Sequence, residues 1–173
     1  MTLTVTLGRL EDFEKSEQLM KLARFRSTAG SGWRGLKDYV AAMRPGQTEI
    51  FYLAGESLDR LKGSPQLEAA AARGIEVLLL PDPVDSFWTT LSLKFEDKAL
   101  RSLSKGDVDL SATPLVGEAP AADGAADVAT LIAALKSTLG DKVADVRPSQ
   151  RLVASAACLV APTSGPDLAL DRL

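Results

Sequence analysis

Side chains able to do chemistry are sparse in this chain of 173 residues, which carries one cysteine and no histidine. Without an imidazole, serine–histidine and cysteine–histidine catalysis are excluded, as is any histidine-based zinc site. Cys158 stands in Ala156-Ala-Cys-Leu-Val160. It has no cysteine partner and no neighbour in the sequence that would stabilise a thiolate, so it reads as a small core hydrophobe. Asp107 and Asp109 could suggest a metal or acid/base pair, but they lie beside a glycine- and proline-rich stretch without further ligands and read as solvated loop charge. Arg24 and Arg26 suit helix C-terminal contacts or solvated pairs. Arg151 reads as a strand-end arginine laying its stem over an apolar surface. A net charge of −3 argues against a nucleic-acid partner. This inventory favours a binding or interaction protein over an enzyme.

The elements that must position these residues follow from spacing. Arg9–Arg26 is rich in helix formers, with Leu10, Phe13 and Met20 at helical spacing and a Gly30-Ser31-Gly32 break after it. Leu36, Tyr39, Val40 and Met43 predict a short amphipathic helix stopped by Arg44-Pro45-Gly46. Glu49–Ala54 and Ile75–Leu80 read as strands buried on both faces. The helix between them starts at Ser64-Pro65, runs through Ala69–Ala72 and closes at Gly74. That length of connection predicts a parallel pair. A third helix starts at Asp82-Pro83, with apolar positions Val84, Phe87, Trp88, Leu91 and Phe95, and a third strand follows at Leu100–Leu103. The result is an α/β fold: a small three-layer α/β/α lobe with a short, mostly parallel sheet.

Lys105–Ala126 has little to bury and reads as a mobile linker. Beyond it, Val128, Leu131, Ile132, Leu135 and Leu139 predict an amphipathic helix. Lys142–Val146, Leu152–Ser155 and Cys158–Ala161 predict short strands, completing a smaller α+β module. No apolar run is long enough for a membrane helix and no signal-peptide pattern opens the chain, so the expectation is a soluble, cytoplasmic protein without a membrane partner. An open α/β unit also admits a small nucleotide-binding or enzymatic domain. The turn after the first strand, Ala54-Gly-Glu-Ser57, is poor in glycine, and Glu56 would repel a phosphate.

Several segments in order carry a resemblance: Leu22-Ala-Arg-Phe-Arg-Ser-Thr28, Tyr39-Val-Ala-Ala-Met43, Phe51-Tyr-Leu-Ala-Gly-Glu-Ser57, Gly74-Ile-Glu-Val-Leu-Leu-Leu80, Asp82-Pro-Val-Asp-Ser-Phe-Trp88, Phe95-Glu-Asp-Lys-Ala-Leu100, Lys142-Val143 and Gln150-Arg-Leu-Val-Ala-Ser155. From Leu10 to Leu173 the chain resembles the heat shock protein 90 family in its bacterial form, whereas Met1–Gly8 does not resemble the family. The resemblance implies the end of that family's middle domain over 1–104, a linker over 105–126 and the first part of the C-terminal dimerisation domain over 127–173. It implies a fragment of an ATP-dependent chaperone that binds unfolded or partly folded client proteins and meets other domains of the longer protein.

By the same resemblance, ATP and magnesium belong to a domain without a counterpart here, so no cofactor and no enzymatic activity are expected of this chain. Client contacts are implied for Phe87, Trp88 and Thr90. On a helical wheel Val84, Trp88, Leu91 and Phe95 share a stripe and Phe87 lies at its edge, while Ser86 departs from an acid common in the family. The family is a homodimer through helices at its extreme C-terminus. A monomer is expected for this chain, with an uncovered apolar face around Leu152, Val153, Leu159 and Val160.

Overall fold

The computed structural model describes residues 13–82, 85, 93–106, 108–117, 125–163 and 168. Among these the chain forms α1 (Phe13–Leu22), β1 (Arg24–Ser27), β2 (Gly30–Gly35), α2 (Leu36–Ala41), β3 (Ile50–Ala54), α3 (Leu58–Lys62), α4 (Glu68–Ala72), β4 (Leu78–Leu80), β5 (Lys94–Phe95), β6 (Lys98–Ser102) and α5 (Ala125–Leu139). The strands make one six-stranded sheet in the order β2-β1-β4-β3-β6-β5. β3 runs parallel to β4 and to β6. The flanks are antiparallel, with β1 against β2 and β4, and β5 against β6. The α/β class and the parallel centre stand as expected, and the hairpins at both edges make the sheet mixed.

Every position of β3 and β4 is buried. Because strand side chains alternate, each strand feeds two cores. Phe51, Leu53, Val77 and Leu79 pack with Leu61, Leu67, Ala69 and Ala70 from the α3–α4 side. Ile50, Tyr52, Leu78 and Leu80 pack with Met20, Leu36 and Tyr39 from the α1–α2 side. The result is three layers, and each fully buried large side chain contributes about 1.5–3 kcal/mol. Ser64 caps the 3₁₀ turn Pro65–Leu67 by accepting from the Gln66 N–H at 3.3 Å. Gly74, at φ +62°, ends α4 in the left-handed conformation that favours glycine.

Several expectations need correction. Arg24–Ser27 is a strand, because Phe25 and Ser27 alternate inward against β4 and the sheet overrides helix propensity. The Gly30-Ser31-Gly32 stretch is not a break but the start of its hairpin partner β2. α3 lies in the crossover, where only a turn was expected. Phe95 is not a helix residue: it sits 1% exposed in β5. Glu96 and Asp97, both at positive φ, make the tight turn that pairs Phe95 with Lys98. The remaining helix positions named after Asp82-Pro83 lie outside the described residues. In the expected linker, Leu110 is buried and Val108 packs against the same core, and the Val116 N–H donates to the Ala72 carbonyl at 2.8 Å. That part packs against the lobe, where little to bury was expected. Lys142–Val146, Leu152–Ser155 and Cys158–Ala161 form no ladder among the described residues, and pairing is limited to a parallel bridge between Lys105 and Ala161. Backbone groups of Val153–Ser155, Leu159 and Ala161 are instead taken up by the α/β lobe, while the Val146 N–H donates to Asp145.

Tyr39, 1% exposed, joins three segments through its hydroxyl. It donates to the Glu76 carbonyl at 2.6 Å and accepts from the Gln47 side-chain amide and the Phe51 N–H, both at 3.0 Å. Burial pushes its pKa up to about 12 from 10.0, against the opposing hydrogen bond from Phe51. Above the ordinary value the unfolded chain releases a proton that the folded chain keeps, so this contribution is lost as pH rises from about 10 towards 12. Tyr39→Phe should cost about 1–3 kcal/mol at neutral pH by leaving buried backbone groups unpaired. The gap between wild type and variant should narrow at alkaline pH in urea denaturation.

Candidate functional site

Of the side chains singled out by type and spacing, most serve local structure. In the turn after β3, Glu56 pairs with Arg60, and the Ser57 hydroxyl accepts from the Arg60 N–H at 3.4 Å as the cap of α3. A Cβ at Gly55 would lie 2.8 Å from Leu61 Cδ2, so the glycine there permits close packing of helix on strand. Asp109 accepts from the Ser111 N–H at 2.8 Å, and the hydrogen bonds from Ser111 hold its carboxyl below the usual range. Asp107 lies outside the described residues. Among the described residues no group of three or more His, Cys, Asp or Glu is placed to hold a metal. Cys158 is half-buried and belongs to neither core cluster, so it is not the core hydrophobe expected, and its partial burial pushes the thiol up. Arg24, although in β1, donates to the carbonyls of Lys21, Leu22 and Ala23 at the end of α1. Phe87, Trp88 and Thr90 lie outside the described residues.

The polar groups that converge do so where segment 149–161 crosses the start of α4. Arg151 is 8% exposed, not a surface arginine, and its guanidinium donates to the carbonyls of Leu103 and Gly106 just after β6. Its own carbonyl accepts from the Ala69 N–H at 3.1 Å. The Gln66 side-chain amide donates to the Leu159 carbonyl at 2.6 Å. The Ala161 N–H donates to the Ser104 carbonyl at 2.8 Å.

Glu68 completes the junction. One carboxylate oxygen accepts from the N–H groups of Val153 at 2.6 Å and Ala154 at 2.8 Å. The other accepts from the Ser155 N–H at 3.1 Å and from the Ser155 hydroxyl. These donors, led by the Ser155 hydroxyl, lower the Glu68 pKa from 4.5 to about 2. The charged clamp is therefore complete above about pH 4.5 and is lost only as pH falls towards 2. Neither Gln66 nor Glu68 is recognisable from sequence, because an acid in the first turn of a helix is already explained by the helix dipole.

Two apolar features remain on the surface. Val153, Leu159 and Val160 are exposed, as expected for that stretch, while Leu152 is half-buried. Trp33 on the edge strand β2 is 59% exposed, with the Arg26 guanidinium 4.3 Å from its ring centre. Arg151→Ala should destabilise the fold by about 2–3 kcal/mol by stranding the carbonyls that the guanidinium serves. Arg151→Lys should recover only part of this, because an ammonium lacks the fork geometry. Urea denaturation midpoints of the three proteins would check it.

A family model described as Hsp90 protein matches residues 2–173. The match takes in most of the opening segment 1–8, which on motifs alone fell outside the resemblance. The chain is 56% identical over 169 residues to the chaperone protein HtpG of Mesorhizobium japonicum, covering 96% of this chain and 27% of that protein. It is 54% identical over 173 residues to the chaperone protein HtpG of Rhodopseudomonas palustris strain BisB18, covering 99% of this chain and 28% of that protein. The chain thus spans about a quarter of the length of these curated relatives. Among solved structures, the middle domain of a Plasmodium falciparum heat shock protein superposes with a TM-score of 0.52 at 29% identity, over 56% of this chain and 41% of that one. With a family match along nearly its whole length, over a three-layer lobe shared with a heat-shock-protein middle domain, the chain belongs to the heat shock protein 90 family.

Proposed function

We propose that this chain contributes to an ATP-dependent chaperone by contacting unfolded or partly folded proteins and by coupling the α/β lobe to the segment that follows it. The observation that carries the reading is the identity to chaperone proteins along nearly all of the chain. Nucleotide binding belongs to another part of the longer protein in this reading. Support comes from the turn after β3, where Glu56, Ser57 and Gly55 are occupied in starting and packing α3. No helix among the described residues is long and apolar enough to cross a membrane.

Client contact is assigned to Phe87, Trp88 and Thr90. The support for ranking Phe87 above Trp88 is helical spacing, which puts Phe87 at the edge of the apolar stripe and Trp88 within it. Phe87→Ala should weaken binding to a permanently unfolded, carboxymethylated protein with little change in melting temperature. Trp88→Ala should instead cost about 3–5 kcal/mol of stability. Fluorescence anisotropy and thermal denaturation on both variants separate the two roles, and the reverse pattern would overturn the assignment. Isothermal titration with Mg-ATP should show no binding to this chain; micromolar affinity would point to a nucleotide-binding domain instead.

A further inference from the structure

Segment 149–161 is attached to the lobe in an unusual balance of forces. Of its larger apolar side chains Val153, Leu159 and Val160 are exposed and Leu152 is half-buried, while the small Ala161 is buried at its far end. What fastens it is polar: the Glu68 carboxylate on the amides of 153–155, Gln66 on the Leu159 carbonyl, Ala69 on the Arg151 carbonyl, and Arg151 on the carbonyls after β6. A segment held by hydrogen bonds, with few apolar contacts, opens at lower free energy than the strands beneath it.

The Glu68 clamp has a form of its own. Successive N–H groups at Val153, Ala154 and Ser155 converge with the Ser155 hydroxyl to make a concave, anion-accepting nest, and the carboxylate fills it from across the fold. Glu68 is separated from Val153 by 85 positions in sequence. The contact therefore closes a long loop containing α5, which is tied to the lobe on one side through β6 and the packed segment 108–117, and on the other through this clamp together with Arg151, Gln66 and Ala161. Removing it leaves that end on the remaining hydrogen bonds of Arg151, Gln66 and Ala161.

We propose that segment 149–161 is a releasable strap and that the Glu68 carboxylate is its latch, so that the strap can leave the lobe while the six-stranded sheet stays folded. With the latch closed, α5 is tethered at both ends. With it open, α5 and the strap can move relative to the lobe. This goes beyond the client-binding reading and does not depend on it, because the latch lies within the described residues and needs no client.

The experiment is site-resolved amide hydrogen exchange on the full 173-residue chain, comparing wild type with Glu68→Ala and Glu68→Gln. In Glu68→Ala the amides of Val153, Ala154 and Ser155 should exchange about tenfold faster or more, with those of Leu53 and Leu79 unchanged. Glu68→Gln keeps one acceptor oxygen and the side-chain size, so its increase should be smaller but in the same direction. If Glu68→Ala fails to fold, Glu68→Gln carries the test alone. Unchanged exchange at 153–155 in the folded variants would overturn the latch. Equal acceleration at Leu53 and Leu79 would overturn the strap, because the segment would then be opening only with the whole fold.

Discussion

Burial of β3 and β4 on both faces is the constraint from which the rest of this structure follows. A strand whose every side chain is out of water needs a covering layer on each side, and neither layer suffices alone. α1 and α2 cover one face and α3 and α4 the other, with alternate residues of the same strand assigned to opposite cores. The parallel pairing of β3 with β4 follows from the crossover that carries α3 and α4. The antiparallel hairpin strands extend the sheet on either side, and at one edge the exposed Trp33 is held beneath Arg26.

Polar groups in the lobe work mainly at its joints. The Tyr39 hydroxyl ties α2 to the start of β3 and to the approach to β4. The Arg34–Glu76 pair, at 2.8 Å, ties β2 to that same approach. Arg151 and Glu68 do the equivalent for a segment that has no strand ladder of its own. Each uses a charged group to satisfy backbone amides or carbonyls, which gives directional attachment without a large apolar contact. Such an attachment positions a segment without merging it into the core.

Asp109 turns a loop, Glu56 pairs with Arg60 of α3 from the preceding turn, and Cys158 keeps a raised thiol pKa in a half-buried place.

The sequence by itself determined the elements whose signals are local. The apolar runs Glu49–Ala54 and Ile75–Leu80 announced strands, of which Ile50–Ala54 and Leu78–Leu80 form β3 and β4, and Leu36, Tyr39 and Val40 marked α2 by their spacing. Ser64-Pro65 and Gly74 bounded the crossover helix through capping chemistry that acts within a few residues. The ordered motifs carried the family. Only the tertiary structure decided matters that depend on distant partners. Arg24–Ser27 is a strand because β4 and β2 lie on either side, and its helix-forming composition could not reveal that. Phe95 left its expected helix because a tight turn at Glu96-Asp97 returns the chain against β6. Leu152–Ser155 has the composition of a strand but spends its amides on Glu68, a contact across the fold that no local window contains. Propensity and periodicity sum over neighbours in sequence, whereas these outcomes were set by hydrogen-bond partners that only the folded chain brings within reach.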